Sequence, residues 1–255
     1  MIICIDVGNT TILFGTYDND KLIDTYRMET KILKTSDEYG SSLLAHYQIN
    51  DINKKEVTGA IVSSVVPSVD HALEKMLVDY FKIKPIFVNT NLPLGLDILI
   101  DPKNSLGADL LVGSFIATQK YGCPNIVIDM GTATTIIVVN EDKQIIGGMI
   151  YPGVKEAFRS LVKSTSLLES TKLEAPSKPI ENTTKSCLQS GMYYGTSCLI
   201  EGVVNKYKKE LNNPSTQVIM TGGVSKIYQQ ELKDYIYDEH LLLEGLKEKY
   251  KKLNK

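Results

Sequence analysis

Two short segments of the 255-residue chain share one pattern, an apolar strand that ends in aspartate and turns through glycine into polar residues. The first is ICIDVGNTT, which contains Asp6, and the second is IVIDMGTATT, which contains Asp129. The two aspartates lie 123 positions apart, about half the chain. A pattern repeated at this interval predicts a duplicated chain with two similar domains, which we place at residues 1–117 and 118–255.

The order of predicted elements also repeats. The first half reads as three strands joined by short turns, then helix, strand, helix, strand and helix, with Ser36 as the N-cap of the first helix. The second half again begins with three strands and a helix. A polar loop from Glu169, a long helix, a strand that ends at Gly222-Gly223 and a final helix follow. This order predicts an α/β fold class, two duplicated domains with mixed sheets flanked by helices.

Composition excludes several classes of partner. The chain has 30 acidic and 28 basic residues, a balance that argues against a nucleic-acid-binding surface. Its apolar runs stay below the roughly 18 residues that span a membrane, and its first residues lack the basic region of a signal peptide. The four cysteines form no C-x-x-C pair, so we interpret them as buried free thiols. We therefore expect a cytoplasmic protein that binds neither nucleic acid nor membrane.

The repeated segment suits an anionic ligand. Glycine lets the backbone approach a ligand closely, and hydroxyl and amide groups that can donate hydrogen bonds follow it: Asn9, Thr10, Thr11, Thr132, Thr134 and Thr135. A carboxylate would repel phosphate unless a cation lay between them, as Mg²⁺ does. A plain β-turn explains either copy alone, but two corresponding copies favour a site that holds a triphosphate from both sides. Because a P-loop and a G-x-G-x-x-G motif are absent, Gly222 and Gly223 are the natural third contact, unless they form only a tight turn.

Eight collinear segments resemble type III pantothenate kinases along the whole chain: DVGNTTILFG, RMET with TSDEY, VSSVVPSV, LGADLL, IDMGTATT, GGMIYPG, TTKSCLQSGMYYG and MTGGVS. The broader plan resembles the superfamily of actin, the sugar kinases and the 70-kDa heat-shock chaperones. The resemblance therefore implies two ribonuclease H-like (actin-like ATPase) domains. It also implies phosphorylation of the terminal hydroxyl of pantothenate by ATP, the first committed step of coenzyme A biosynthesis.

The resemblance implies roles for individual residues. A hairpin that binds the phosphates of ATP would consist of Asp6, Val7, Gly8, Asn9, Thr10, Thr11, Ile12 and Leu13, with Asp6 holding Mg²⁺ through phosphate. Asp129 would bind a monovalent cation, K⁺ or NH₄⁺, Thr132 would contact ATP, and Gly222 and Gly223 would lie at the adenosine end. Asp109 would be the catalytic base, in a pantothenate site formed by Gly107, Ala108, Asp109, Leu110 and Thr184. A helix cap is the alternative role for Asp109.

The chain departs from the family pattern on the pantothenate side. Leu110 stands where the family usually has arginine, and the upstream segment LDILIDPKNSL lacks the usual tyrosine. Either other groups hold pantothenate or the acceptor differs, and we favour pantothenate because Asp109 and Thr184 are present. The alternatives are a kinase of the same scaffold acting on another small alcohol, and a non-catalytic regulatory relative. Against the latter, a pure binder need not retain Asp6, Asp109 and Asp129.

The long helix predicts how copies of the chain associate. Its sequence CLQSGMYYGTSCLIEGVV is small and apolar around much of its circumference. A helix of that kind must be covered by another surface. Together with the family resemblance, this predicts a homodimer.

Overall fold

The structure is a computed structural model that describes residues 1–31, 33–165, 168 and 170–254. Each half of the chain opens with three consecutive strands, which helices and further strands follow. The first half contains β1 (Ile2–Val7), β2 (Thr11–Asp18), β3 (Lys21–Glu29), α1 (Ser36–Ile49), β4 (Gly59–Ser64), α2 (Pro67–Met76), β5 (Ile86–Phe87), β6 (Asp97–Ile98) and α3 (Ala108–Tyr121). The second half contains β7 (Asn125–Met130), β8 (Ala133–Val139), β9 (Gln144–Pro152), α4 (Val154–Lys163), α5 (Thr184–Glu210), β10 (Gln217–Thr221), α6 (Ser225–Tyr228), β11 (Ile236–Tyr237) and α7 (Leu241–Leu253). Glu169, where the predicted polar loop begins, lies outside the described residues.

Contacts divide the chain into two compact units. The first comprises Met1–Gly95, Ile100–Ile116 and Leu241–Lys255, and the second comprises Leu96–Leu99 and Ala117–His240. Apart from Ala117, which belongs to the second unit, this grouping differs from a single cut after residue 117 in two segments. Helix α7 packs on β1 and β4 of the first unit, and β6 pairs with β9 of the second. The division into functional domains 1–117 and 118–255 stays a prediction.

The first unit has a five-stranded mixed sheet in the order β3-β2-β1-β4-β5. Central strand β1 runs antiparallel to β2 and parallel to β4. Its alternating residues Ile3, Ile5 and Val7 face a core to which α1 and α2 contribute buried side chains, including Leu43 and Leu73. This burial fixes the register of β1, so the last residues of β1 and of β4 lie side by side at the same end of the sheet.

The second unit repeats the plan in a six-stranded sheet with the order β11-β10-β7-β8-β9-β6. Its β7 runs antiparallel to β8 and parallel to β10, as β1 does with β2 and β4. The 27-residue α5 contributes Tyr193, Ile200 and Val204 to the core of this unit. Each unit therefore places an Asp-x-Gly segment at the end of the strand that lies between an antiparallel and a parallel neighbour.

Two local predictions were wrong. The N-cap of α1 is Thr35 and not Ser36, because Thr35 and Glu38 form a capping box in which the Thr35 side chain accepts the Glu38 N–H. The cysteines are all free, but only Cys4 is buried, while Cys123 is half-buried and Cys187 and Cys198 are exposed. Among the described residues, no helix is both long enough and apolar enough to cross a membrane.

Candidate active site

The first Asp-x-Gly hairpin joins β1 to β2. Half-buried Asp6 lies opposite Leu13 of β2 on one side and Ser63 of β4 on the other. The turn is closed by the Gly8 N–H, which donates to the Thr11 carbonyl at 3.0 Å. The turn leaves Asn9 and Thr11 exposed and Thr10 half-buried. Its polar groups can therefore reach a ligand in solvent.

The second hairpin joins β7 to β8 and has a shorter turn. Half-buried Asp129 lies opposite Thr135 of β8 and Thr221 of β10. The Gly131 N–H donates to the Ala133 carbonyl at 3.0 Å, so this turn closes over one residue fewer than the first. The two hairpins thus share their aspartate, glycine and sheet position but not their turn length.

The threonines of the second hairpin do not all face solvent. Thr132 is exposed, whereas Thr134 is only 1 % exposed and Thr135 is half-buried. The hydroxyls of Thr134 and Thr135 are buried and have no hydrogen-bond partner among the described residues. The Thr134 side chain therefore lies inside the unit, while that of Thr132 faces solvent, and donation by the three hydroxyls to an anionic ligand stays a prediction.

The glycine pair after β10 lies against the second hairpin. Gly222 has φ of +95°, and a Cβ added there would lie 2.4 Å from Oδ1 of Asp129 and 2.5 Å from the Met130 nitrogen. The Val224 N–H donates to the Met130 carbonyl at 3.3 Å, which holds the loop in place. A Cβ added to Gly223 would meet nothing within 4 Å. Gly222 therefore permits close approach to Asp129, while Gly223 faces open space.

Asp109 lies in the first turn of α3. Its Oδ1 accepts the Leu110 N–H at 2.8 Å, and a Cβ added to Gly107 would come within 2.4 Å of the same oxygen. Burial raises the pKa of Asp109 above its ordinary value, and backbone hydrogen bonds to the carboxylate partly oppose this shift. A half-buried carboxylate with a raised pKa is a better proton acceptor than a fully solvated one.

A corner after β4 connects the first hairpin to the Asp109 segment. The Val65 N–H donates to the Val7 carbonyl at 3.0 Å, and the Val65 side chain would lie 3.4 Å from a Cβ on Gly107. The Ser64 hydroxyl donates to Asp70 and accepts the Val66 N–H. The sequence predicts no role for this corner, although its segment VSSVVPSV is among the motifs that carry the family resemblance.

The remaining predicted residues lie where their elements begin. Thr184 is the exposed first residue of α5, whose N-cap is Thr183. Leu110 is half-buried in the first turn of α3. Asp6 and Asp109 belong to the first unit, and Asp129, Thr132, Thr184 and the glycine pair belong to the second.

The carboxylates of the two hairpins suit a cation that is bound partly by the protein and partly by a ligand. Within the described ranges, no cluster of three or more His, Cys, Asp and Glu side chains could enclose a metal ion. Mg²⁺ often binds through one or two carboxylates together with waters and substrate phosphates. A single half-buried carboxylate at each hairpin fits that mode of binding and does not form a cage by itself.

Comparison with known proteins matches the whole chain to one family. The sequence model described as type III pantothenate kinase matches residues 2–206. A protein named type III pantothenate kinase from an Exiguobacterium species is 37 % identical over all of both chains. One of the same name from Geobacillus kaustophilus is 39 % identical over 99 % of this chain and 98 % of its own length.

Solved structures agree on the fold. A Campylobacter jejuni protein assigned to the Baf family of transcriptional activators is similar with a TM-score of 0.62 at 18 % identity, covering 99 % of this chain and 98 % of its own. The structure of MreB 5 of Spiroplasma citri bound to AMPPNP is similar with a TM-score of 0.53 at 11 % identity. The match covers 99 % of this chain and 96 % of the MreB 5 chain. These similarities confirm the predicted actin-like fold class, and the sequence matches confirm the predicted resemblance: the chain belongs to the type III pantothenate kinase family.

Proposed function

We propose that this protein transfers a phosphoryl group from ATP to the terminal hydroxyl of pantothenate, a reaction of coenzyme A biosynthesis. The observation that carries the proposal is the family match over residues 2–206, a range that contains both hairpins, Asp109 and Thr184. The geometry supports it because a strand-end carboxylate beside a tight polar turn occurs in each unit.

ATP with Mg²⁺ is the phosphoryl donor. We assign contacts with ATP to Asp6, Val7, Gly8, Asn9, Thr10, Thr11, Ile12, Leu13, Thr132, Gly222 and Gly223. Bound Mg²⁺ would neutralise charge on the phosphates, with Asp6 holding it through phosphate oxygens and water. The exposed turn residues of the first hairpin would orient the phosphates by hydrogen bonding. The close approach of Gly222 to Asp129 supports a role for this loop beside the nucleotide.

Asp109 acts as the base on the acceptor hydroxyl. Phosphoryl transfer depends mainly on positioning and charge neutralisation, so the base needs only to accept the hydroxyl hydrogen bond and take the proton. Gly107, Ala108, Leu110 and Thr184 form the pantothenate site in this proposal. The N-terminal end of α3 favours an anionic acceptor, since its backbone N–H groups carry partial positive charge. This end would compensate in part for the absence of arginine at Leu110.

Three further assignments complete the proposal. Asp129 binds a monovalent cation, K⁺ or NH₄⁺, supported by its half-buried carboxylate beside the second turn. The protein acts in the cytoplasm, supported by the exposed free thiols of Cys187 and Cys198, which persist in a reducing compartment. It acts as a homodimer, supported by an exposed face of small residues on α5.

An acceptor assay tests the function. The purified protein is given ATP, Mg²⁺ and K⁺ with pantothenate or with a panel of sugars and small hydroxy acids, and phosphorylated product is measured by mass spectrometry. We expect 4′-phosphopantothenate as the dominant product. Preferential phosphorylation of another alcohol would support the second acceptor class. ATP binding without transfer to any acceptor would support a regulatory relative.

A further inference from the structure

The residue that follows the third strand contacts the turn of each hairpin. In the first unit this residue is Thr30, directly after Glu29, which lies opposite Thr11. In the second unit it is Gly153, directly after Pro152, which lies opposite Ala133. Both donate their backbone N–H to a turn carbonyl, Thr30 to Thr10 at 3.0 Å and Gly153 to Thr132 at 3.1 Å. The two positions therefore correspond in the duplicated fold.

Only the first hairpin receives a second bond from this position. The Thr30 hydroxyl donates to the Gly8 carbonyl at 2.7 Å, and Thr30 is only 3 % exposed. Gly153 has no side chain, and a Cβ there would lie 2.3 Å from the Thr132 oxygen and 2.5 Å from the Gly131 oxygen. The backbone of Gly153 thus packs closely against the second turn, whereas a buried side-chain hydrogen bond from Thr30 holds the first turn.

Two carbonyl groups of the first turn are bound by one residue. A loop that binds phosphate must present N–H groups to the anion, because a carbonyl oxygen facing phosphate is repelled. Thr30 engages the Gly8 and Thr10 carbonyls on the inner side of the turn. A third carbonyl, that of Thr11, accepts the Gly8 N–H. These bonds occupy the carbonyl groups of Gly8, Thr10 and Thr11 within the protein.

We propose that Thr30 is a positioning residue for ATP, whose hydroxyl fixes the Gly8 carbonyl away from the phosphates and so keeps the first hairpin in its binding conformation. This inference rests on the proposed function, since it takes residues 6–13 to bind the phosphates of ATP. Thr30 acts through the backbone of Gly8 and touches neither substrate.

Replacement of the hydroxyl by a methyl group tests the proposal. Thr30→Val keeps the shape and the backbone bond to Thr10 but loses the bond to Gly8, while Thr30→Ser retains a hydroxyl. The matched control is Thr16→Val in β2 of the same sheet, which removes the buried 2.7 Å bond between Thr16 and Tyr47 of α1. We expect Thr30→Val to raise KM for ATP and the Kd for AMPPNP about tenfold, as for one lost hydrogen bond, with KM for pantothenate changed less than about twofold.

The readouts separate the inference from the proposed function. Calorimetry with AMPPNP and Mg²⁺ needs no acceptor, so it tests Thr30 even if the wild type fails to phosphorylate pantothenate. Wild-type affinity in Thr30→Val, or an equal loss in Thr16→Val, would overturn the inference, as would failure of Thr30→Ser to restore binding. If Thr30→Val does not fold, hydrogen exchange on the wild type decides. AMPPNP must then slow exchange of the Thr30 amide, which donates to the Thr10 carbonyl, together with residues 8–12. Protection of residues 8–12 with unchanged exchange at the Thr30 amide overturns the inference, whereas no protection at either place counts against the proposed function as well.

Discussion

At the scale of single residues, Asp109 is held in a position that disfavours its charge. Burial raises its pKa above the ordinary value of 3.8, so the native state binds a proton at higher pH than the unfolded chain does. Stability contributed by this group therefore falls as pH rises through the native pKa, and the cost persists at neutral pH. A carboxylate that costs stability is more consistent with a functional than with a structural role.

Asp109→Asn separates these two roles. We expect turnover to fall by a factor of about 10²–10⁴, the usual contribution of a general base. We expect the melting temperature at pH 7 to stay the same or to rise, because the buried charge is removed. Steady-state kinetics and thermal unfolding measure the two effects, with Asp142→Asn on an exposed turn as the control. Near-normal turnover in Asp109→Asn would remove this carboxylate from the mechanism.

The monovalent cation proposed at Asp129 gives a second prediction. Turnover should rise with KCl but not with NaCl at equal ionic strength, because a site beside the phosphates would neutralise Asp129 without the octahedral geometry that Mg²⁺ demands. In Asp129→Asn the response to K⁺ should disappear. Initial rates across a salt titration are the measurement. Equal rates in both salts would exclude a selective site.

The glycine pair offers a matched comparison of two adjacent positions. Gly222→Ala should destabilise the protein by about 1–3 kcal/mol, because φ of +95° is strained for alanine and the new Cβ would meet Asp129 and Met130. Gly223→Ala should change the free energy of unfolding little, since nothing lies within 4 Å of its added Cβ. Urea unfolding measures both. A similar cost at the two positions would contradict the close approach that we describe for Gly222.

The sequence predicted the candidate acids but not all of their neighbours. Asp6, Asp129 and Asp109 could be found because each lies in a short motif. The role of Thr30, the last residue of the RMET segment, could not be predicted because it depends on strand pairing, which brings Thr30 to Gly8 from 22 positions away. The burial of Thr134 could not be predicted because turn length cannot be read from the motif. A change of one residue in a turn reverses which side chains face inward.

At the scale of elements, two glycines of the first sheet let α7 pack closely against it. A Cβ on Gly15 would lie 2.7 Å from Leu243, and one on Gly59 would overlap Tyr250. The absence of side chains at these two positions lets the helix lie close to β1, β2 and β4. The sequence predicted the helix but not the sheet that it covers, because periodicity is a local signal and these glycines lie in distant strands.

The packing of α7 on the first sheet predicts that alanine substitutions at two adjacent leucines of α7 cost very different amounts of stability. Leu243 is fully buried, and Leu243→Ala should cost about 2–5 kcal/mol of stability through lost packing and the cavity left behind. Leu242 is only half-buried, so Leu242→Ala should cost clearly less. Chemical denaturation of both variants measures the difference. Equal costs would show that α7 does not dock through the Leu243 face.

At the scale of the whole molecule, the repeated fold contains two versions of the Asp-x-Gly hairpin, one in each unit. In each unit the central strand lies between an antiparallel and a parallel neighbour and ends in an aspartate. The copies have diverged where they would meet a ligand: one turn is longer and held by Thr30, the other is shorter and packed against Gly153 and Gly222.

The proposed homodimer depends on the outer face of α5. Its inner face carries buried Tyr193, Ile200 and Val204. Its outer face carries four exposed small residues at helical spacing: Gly191, Gly195, Cys198 and Gly202. A Cβ added to any of the three glycines would meet nothing within 4 Å, so a second copy of the chain could approach the helix closely.

Gly195→Glu tests that face without endangering the fold. Glutamate favours a helix over glycine by about 0.5–1 kcal/mol, so α5 should not be weakened. A buried charge at the contact should convert a dimer into a monomer, observed as halved mass in light scattering. Asp142→Lys, on the exposed turn between β8 and β9, should leave the mass unchanged. A wild-type protein that is already monomeric would refute the homodimer, and a Gly195→Glu dimer would move the contact away from α5.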